Sequence, residues 1–359
     1  MFKKGLAWLQ RNERHLGAIV FVAGFVTDIL TFTLLDISLV NLVFAGYLAL
    51  AAVCILVSHF LVSLPGQGSV TRRTLAVILP LAAQYLLGNL LSGFLIFYTK
   101  SSVLLVSWPF IVLLLLVFIG NEWFRKYRDR IAFFAVLFFF SLYAYAIFAL
   151  PLFIRMLGPW VFIGSTVISA GLFALFLFLL WKTGRARLEQ SLMPIIGSTL
   201  AILIVMVASY FTGLVPPIPI TLKDGGIYHG IERSGGNYVL LAEDPKPFWD
   251  IRSPRVHVAS GETVYAFASV FAPIRFSTSV VHRWDQYDER QKRWVTLSRT
   301  SFPIAGGRAE GYRGYSQATD LEPGRWRVSV ETPGGQVIGQ LRFEVERVDA
   351  LPDLHKEIR

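Results

Sequence analysis

Apolar residues run in long unbroken stretches up to about Val215, then alternate with polar ones toward the end of the chain. Seven stretches stand out, at residues 16–35, 39–62, 75–97, 103–119, 131–154, 160–181 and 192–214. A helix needs roughly 20 apolar residues to cross the hydrocarbon core of a bilayer. The pattern therefore predicts seven transmembrane helices. The first stretch carries a single charge, Asp28. The fourth is the shortest, and Trp108-Pro109 predicts a kink in it. Pro80, Pro151 and Pro194 fall near the ends of other stretches, where proline costs less.

Residues 215–226 form a junction in which Pro216, Pro217 and Pro219 favour extended chain. Beyond it the period changes. Trp326, Val328 and Val330 alternate with Arg325, Arg327, Ser329 and Glu331. Val337, Gly339, Leu341, Phe343 and Val345 alternate with Ile338, Gln340, Arg342, Glu344 and Glu346. Period two with polar partners marks half-buried strands. Pro333-Gly334-Gly335 predicts a hairpin turn between these two, and residues 288–291 predict another. Further strands are predicted at 226–232, 237–242, 255–258, 262–272, 276–287, 292–304 and 312–317. Many short strands divided by turns predict an all-β, immunoglobulin-like antiparallel sandwich. The organisation read from the chain is thus a seven-helix membrane domain (1–214), the junction (215–226), a β-sandwich domain (227–346) and a polar C-terminal tail (347–359).

Charge adds orientation. The chain has 359 residues, 54% of them hydrophobic and 16% charged, with a formal net charge of +10. The excess lies in the apolar half, which carries 15 basic and 6 acidic residues, against 19 and 18 in the β half. Lys3, Lys4, Arg11, Arg14, Arg72, Arg73, Arg125, Lys126, Arg128, Arg130, Lys182, Arg185 and Arg187 fall on one side of a seven-span topology. Lys100 and Arg155 alone fall on the other. Basic loops stay in the cytoplasm. The N-terminus is therefore expected inside a bacterial inner membrane, with the β domain periplasmic or extracellular. The basic balance records insertion topology, and nucleic acid is not expected as a partner. The first stretch is too long for a signal-peptide core and reads as an uncleaved anchor. The sole cysteine, Cys54, lies in the second stretch, so the β domain folds without disulfides.

The β half also carries an ordered set of motifs. They are Val281-His282-Arg283-Trp284, Phe302-Pro303-Ile304, Gly311-Tyr312-Arg313-Gly314-Tyr315-Ser316, Gly324-Arg325-Trp326-Arg327-Val328, and the strand from Gly334 through Val345 with Gly339 and Phe343. The set resembles a bacterial family, the domain of unknown function 2914, over residues 262–346. One departure is the segment 285–292, which is longer than the short turn the family carries after its His-x-Trp strand. The resemblance implies a domain carried at the C-terminus of multispanning membrane proteins, and it implies no activity.

Candidate chemistry is sparse. His282 and Trp284 share one strand face, as a stacking platform with a polar contact for a sugar or peptide would, or as a core Trp with a bonded His would, the commoner arrangement because large aromatics dominate sandwich cores. Arg313, Arg325 and Arg327 read as a basic stripe for an anionic lipid headgroup or acidic polysaccharide, or as a solvated ladder paired with Glu331, Glu344 or Glu346. Tyr315, Ser316 and Trp326 complete the candidate ligand site. No G-x-S-x-G elbow is present, and no catalytic residue is assigned. His229, His257, His282 and His355 lack metal-site spacing, and neither a metal nor a cofactor is expected. Asp28 is the candidate intramembrane functional residue, with Asn41, Gln84, Asn89 or His59 as partners, or else a hydrogen-bonded tie between helices. Two functions follow. One is a non-enzymatic membrane protein whose sandwich binds an envelope protein, glycan or lipid. The alternative is a transporter or membrane-embedded enzyme using Asp28, with the sandwich as a regulatory cap.

Overall fold

The structure is a computed structural model that describes residue 28 and residues 37–65, 69–100, 112, 116–117, 131–214, 220–244, 254–271, 277–305 and 311–359. Its contacts divide the chain into a helical unit and a β-rich unit whose continuous part begins at Gly213.

Five helices among the described residues are long and apolar enough to cross a membrane. They are α1 (Ile37–Ser63), α2 (Val70–Lys100), α3 (Ile131–Ile154), α4 (Pro159–Glu189) and α5 (Leu192–Phe211). They match five of the apolar stretches. Of the stretches at 16–35 and 103–119, only Asp28 and residues 112, 116 and 117 are described, each helical. The kink expected at Trp108-Pro109 lies outside the described residues. Pro80 sits deeper than the pattern implied, because α2 begins at Val70 and encloses it.

Aromatic side chains join these helices. Phe44 of α1 meets Phe94 of α2 at 5.1 Å and Phe148 of α3 at 5.8 Å between ring centroids. Phe139 and Phe173 join α3 to α4 at 4.8 Å, and Phe162 stacks on Tyr210 of α5 at 3.9 Å. Such ring pairs contribute about 0.5–1.5 kcal/mol each beyond the area they bury. In α3, 78% of the most apolar window is buried, against 11% in α5, so α3 is the centre of the group. Leu42, Val167 and Ile204 point outward, each about two-thirds exposed. An outward apolar surface of this kind suits lipid rather than water.

Two helix ends show why particular residues are there. Arg72 donates from Nε to the Leu61 carbonyl at 2.8 Å, from Nη1 to Pro65 at 3.2 Å and from Nη2 to Leu64. A cation thereby satisfies the free carbonyls that end α1. Helix α4 bends at Gly184, the point where its apolar run gives way to Arg185 and Arg187. A Cβ at Gly184 would overlap Ser63 and His59 of α1, so glycine permits this close approach.

Among the described residues, the β-rich unit has eleven strands in three sheets. They are β1 (Thr221–Tyr228), β2 (Gly230–Ser234), β3 (Asn237–Ala242), β4 (Arg255–Val258), β5 (Thr263–Phe271), β6 (Ser277–Asp288), β7 (Arg293–Ala305), β8 (Tyr312–Thr319), β9 (Gly324–Glu331), β10 (Val337–Arg347) and β11 (His355–Ile358). The sheet orders are β4-β10-β9-β6-β7, β1-β5-β8 and β11-β3-β2. Every pair is antiparallel except β10 with β4. The main core draws Val256, Val258, Trp284, Trp326, Val328, Phe343 and Val345 from the five-stranded sheet, and Val264 and Ala266 from β5. Tyr228, Phe267, Leu240 and Ala242 form a smaller core joining the sheet of β5 to that of β3.

Three expectations need correction here. The stretch 226–232 is two strands, because the chain leaves β5 as its partner at Tyr228 and takes up β3 at Gly230. Residues 221–226, assigned to the junction, form most of β1. The polar tail is not free chain, since residues 355–358 pair with β3 as β11.

Candidate functional site

Strand alternation sends His282 and Trp284 of β6 inward, where neither has exposed surface. Ser316 of β8 meets both. The Trp284 Nε1–H can only donate, so the Ser316 oxygen accepts it at 2.9 Å. The Ser316 hydroxyl lies 2.9 Å from His282 Nδ1. Burial pushes the His282 pKa down to about 4, so the ring is neutral near pH 7 and its Nδ1 is free to accept the serine proton. Phe302 packs edge-on against the imidazole at 4.8 Å. Gly314 makes room for that ring, since a Cβ there would overlap it. The motifs singled out in sequence thus meet in one packed unit.

Of the two readings of this pair, the core Trp with a bonded His is the one seen, and the stacking platform at Trp284 and His282 is corrected: both face the core, because they share the inward register of β6. Trp326 is also buried, donating to the Glu322 carbonyl at 2.8 Å. Ser316 is buried between the two sheets. None of the four presents a face to a ligand.

The basic stripe is likewise corrected. Arg313 lies on β8, in a different sheet from Arg325 and Arg327, and donates to the Arg359 carbonyl at 3.0 Å. Tyr315, 43% exposed, neighbours Tyr238 and Tyr265 on that side. The carboxylates that pair with Arg325 and Arg327 are Glu289 and Asp285, not Glu331, Glu344 or Glu346.

What the fold assembles instead is the polar face of the five-stranded sheet. One rung places Arg299 of β7 opposite Arg283 of β6, then Ser329 of β9 and Gln340 of β10. The next places Thr296, Asp285, Arg327 and Arg342 in line. A third pairs Trp294 with Tyr287. The Arg325 guanidinium lies 3.9 Å from the Tyr287 ring centroid, and that of Arg327 lies 4.4 Å from the Trp294 centroid.

Two carboxylates are sunk beneath these cations. Asp285 is 1% exposed and accepts from Thr296 at 2.7 Å and from Arg327 Nε at 2.8 Å. Glu331 is 2% exposed and pairs with Arg283 at 2.9 Å. Burial pushes the Glu331 carboxyl above its ordinary range, which the nearby Arg283, Arg299 and Arg327 only partly offset. Among the described residues no carboxylate lies within ion-pair distance of Arg299 or Arg342 on this face, and Arg342 donates instead to the Gln340 amide oxygen at 3.1 and 3.3 Å. Like charges directly opposite across strands are destabilising. The pairs Arg283–Arg299 and Arg327–Arg342 carry that cost in the free protein. From this face, Arg325 and Arg327 were legible in the sequence as candidate ligand residues, and Glu331 as a pairing carboxylate. Val281, Arg283, Asp285 and Tyr287, alternating with His282 and Trp284, were the signal for the rest.

In the helical unit, Asp28 is half-buried and lies near enough to Ser92 of α2 and Tyr47 of α1 for their electrostatics to be linked. Of the partners expected for it, Asn89 donates to the Tyr85 carbonyl at 3.0 Å and His59 bonds to the Gly184 carbonyl at 3.2 Å. A cavity of about 60 Å³, lined by His59, Ser58, Arg187 and apolar side chains of α1, α2 and α3, has room for a few water molecules. No group of three or more His, Cys, Asp or Glu among the described residues could hold a metal ion.

Comparison with known proteins adds one assignment. Residues 277–345, from β6 through most of β10, match a family described as a protein of unknown function, DUF2914. The stretch contains the His282–Trp284–Ser316 unit and the arginine face. No curated protein matches the chain. Among solved structures, a β-glucosidase from Listeria innocua with bound glucose is 16% identical over 26% of this chain and 15% of its own, with a TM-score of 0.20. An immunoglobulin-like protein from Pseudomonas aeruginosa is 12% identical over 35% of this chain and 96% of its own, with a TM-score of 0.21. An alkylpurine DNA glycosylase from Pseudomonas fluorescens is 12% identical over 79% of this chain and 84% of its own, with a TM-score of 0.24. The chain thus spans about one-seventh of the Listeria enzyme. At these TM-scores none of the likenesses bears on fold or function.

Proposed function

We propose that this is a non-enzymatic membrane protein that displays an anion-binding β domain on the outer side of a bacterial inner membrane. In this reading the chain crosses seven times with its N-terminus in the cytoplasm. The five described helices and the stretches at 16–35 and 103–119 supply the spans, and the thirteen-to-two division of basic residues supports the orientation. The β-rich unit is an immunoglobulin-like sandwich, supported by the core drawn from the five-stranded sheet and β5. The ligand is an anionic component of the envelope.

The observation that carries the ligand class is the pair of like-charged rungs, Arg283–Arg299 and Arg327–Arg342. Asp285 and Glu331 neutralise the inner arginines, and a bound anion would neutralise the outer two. Guanidinium forks suit carboxylate and phosphate oxygens. The test uses the full chain in nanodiscs of neutral lipid, titrated with polygalacturonate and, separately, with phosphatidylglycerol vesicles. One of the two probes should bind, more weakly as salt rises. The double variant Arg299→Gln/Arg342→Gln should bind about tenfold more weakly, a loss of about 1.4 kcal/mol. Absence of binding to both probes, or equal binding by the double variant, would defeat the proposal.

A second reading rests on Asp28, a carboxyl electrostatically linked to polar groups of α1 and α2. An ionisable group in a span is a functional hypothesis by default. Here the membrane unit would transport or catalyse, and the β domain would regulate it.

A further inference from the structure

A second cluster of titratable groups lies away from the arginine face and involves all three sheets. His229 occupies the single residue between β1 and β2, and its side chain is 3% exposed. Its Nδ1 lies 2.6 Å from Glu262 Oε1, just before β5, and its Nε2 lies 2.9 Å from Glu243 Oε1, just after β3. Both ring nitrogens therefore face carboxylate oxygens. A neutral imidazole has one N–H, so only the imidazolium satisfies both.

The chain of contacts continues. The other Glu243 oxygen lies 2.7 Å from His257 Nδ1 on β4, and the His257 backbone N–H donates to Glu243 at 2.7 Å. His257 Nε2 lies 3.6 Å from Glu346 on β10, and Glu346 pairs with Arg255 of β4 at 3.1 Å. The Ala259 N–H donates to the second Glu262 oxygen at 2.8 Å. Glu262, His229, Glu243, His257 and Glu346 thus form a line from the sheet of β5, through the sheet of β3, to the five-stranded sheet.

We propose that this line is a pH-dependent latch, which holds the β11-β3-β2 sheet against the rest of the domain while His229 is protonated and releases it as pH rises. The proposal is independent of the anion-binding reading. Burial by itself would lower the His229 pKa, but the hydrogen bonds to Glu243 and Glu262 outweigh it and hold the ring above its ordinary value. For Glu243, burial opposes ionisation, and the bonds from His229 and His257 outweigh that and keep the carboxyl below its ordinary range.

The signs follow from linkage. A raised histidine contributes stability that is fully present below its unfolded value, near 6.5, and is lost as pH rises through the folded value. A lowered carboxyl contributes stability present above its unfolded value, 4.5 for Glu243, and lost as pH falls through the folded value. The latch is therefore closed from about pH 4.5 to 6.5 and opens on the alkaline side. Once neutral, His229 turns a lone pair toward one of its carboxylates.

Hydrogen–deuterium exchange of the full chain in nanodiscs tests this at about pH 6 and about pH 9, after correction for intrinsic exchange. Peptides covering β3 and β11 should lose at least about tenfold of their protection at the higher pH, while peptides of α3 should not change. In His229→Gln, which keeps one donor and one acceptor, the pH dependence should vanish, and in Arg255→Gln it should persist. Equal protection of β3 and β11 at the two pH values in the unmodified chain would overturn the latch, whether or not the variants fold. So would a full pH dependence in His229→Gln.

Discussion

Replacing Ser316 by alanine removes one hydroxyl and strands two polar groups. Trp284 loses the acceptor for its Nε1–H, and His282 loses the partner of its Nδ1, at positions with no exposed surface. A buried polar group left unpaired costs about 1–3 kcal/mol. Two of them give about 2–6 kcal/mol, a large share of the stability of a typical domain. The cavity left by one oxygen adds little, so desolvation dominates. Hydrogen exchange of the full chain in nanodiscs should show β6 and β8 opening roughly 100-fold more often, equivalent to about 2.8 kcal/mol. Adding His282→Leu removes one stranded group. The double variant should then be less destabilised than the sum of the singles by about 1 kcal/mol or more. Ser298→Ala, at an exposed position on β7, is the control. A Ser316→Ala effect under about 0.5 kcal/mol, or equal to that control, would refute the inference that this hydroxyl organises the core.

Two further outcomes are expected. His282 is held neutral, with its pKa pushed down to about 4, whereas the unfolded chain titrates near 6.5. The unfolded state then binds the extra proton first, so its contribution to stability is full above pH 6.5 and falls by up to about 3 kcal/mol as pH drops toward 4. Denaturation midpoints of His282→Leu across that range should lack this component, and an unchanged acid dependence would contradict it. For the second reading, Asp28→Asn should abolish the phenotype of a deletion strain while leaving protein abundance intact; full complementation by the variant would remove support for a transport or catalytic role.

The unequal legibility of the chain has physical causes. An apolar run of membrane-spanning length has few alternatives, because unpaired backbone groups cannot be left in hydrocarbon. The runs at 39–62 and 131–154 accordingly reappear as α1 and α3. Period two in 326–330 and 337–345 likewise became β9 and β10, since one side of each strand must face a core. Partner choice carries no such local signal. The stretch 226–232 reads as one strand although its two ends join different sheets. Residues 355–358, His355-Lys356-Glu357-Ile358, offer almost no apolar pattern and become a strand through pairing with β3.

Candidate sites divided along the same line. The motif residues His282, Trp284 and Ser316 were picked out for their chemistry, but alternation alone could not say whether their face meets ligand or core. Asp285 and Glu331 occupy outward positions and would be read as solvated. They are buried because arginine side chains from neighbouring strands close over them.

Local pattern was enough for the five membrane-type helices, the change to strand structure after Val215 and the turn positions. Each depends on residues close together in the chain. The tertiary structure decided which strand neighbours which, and with that the burial of the His282 unit, the arginine rungs and the His229 line. His229 is 14 residues from Glu243 and 33 from Glu262, and no local rule spans such separations. Backbone pairing across sheets sets them side by side, and burial then makes their charges interact strongly enough to govern one another.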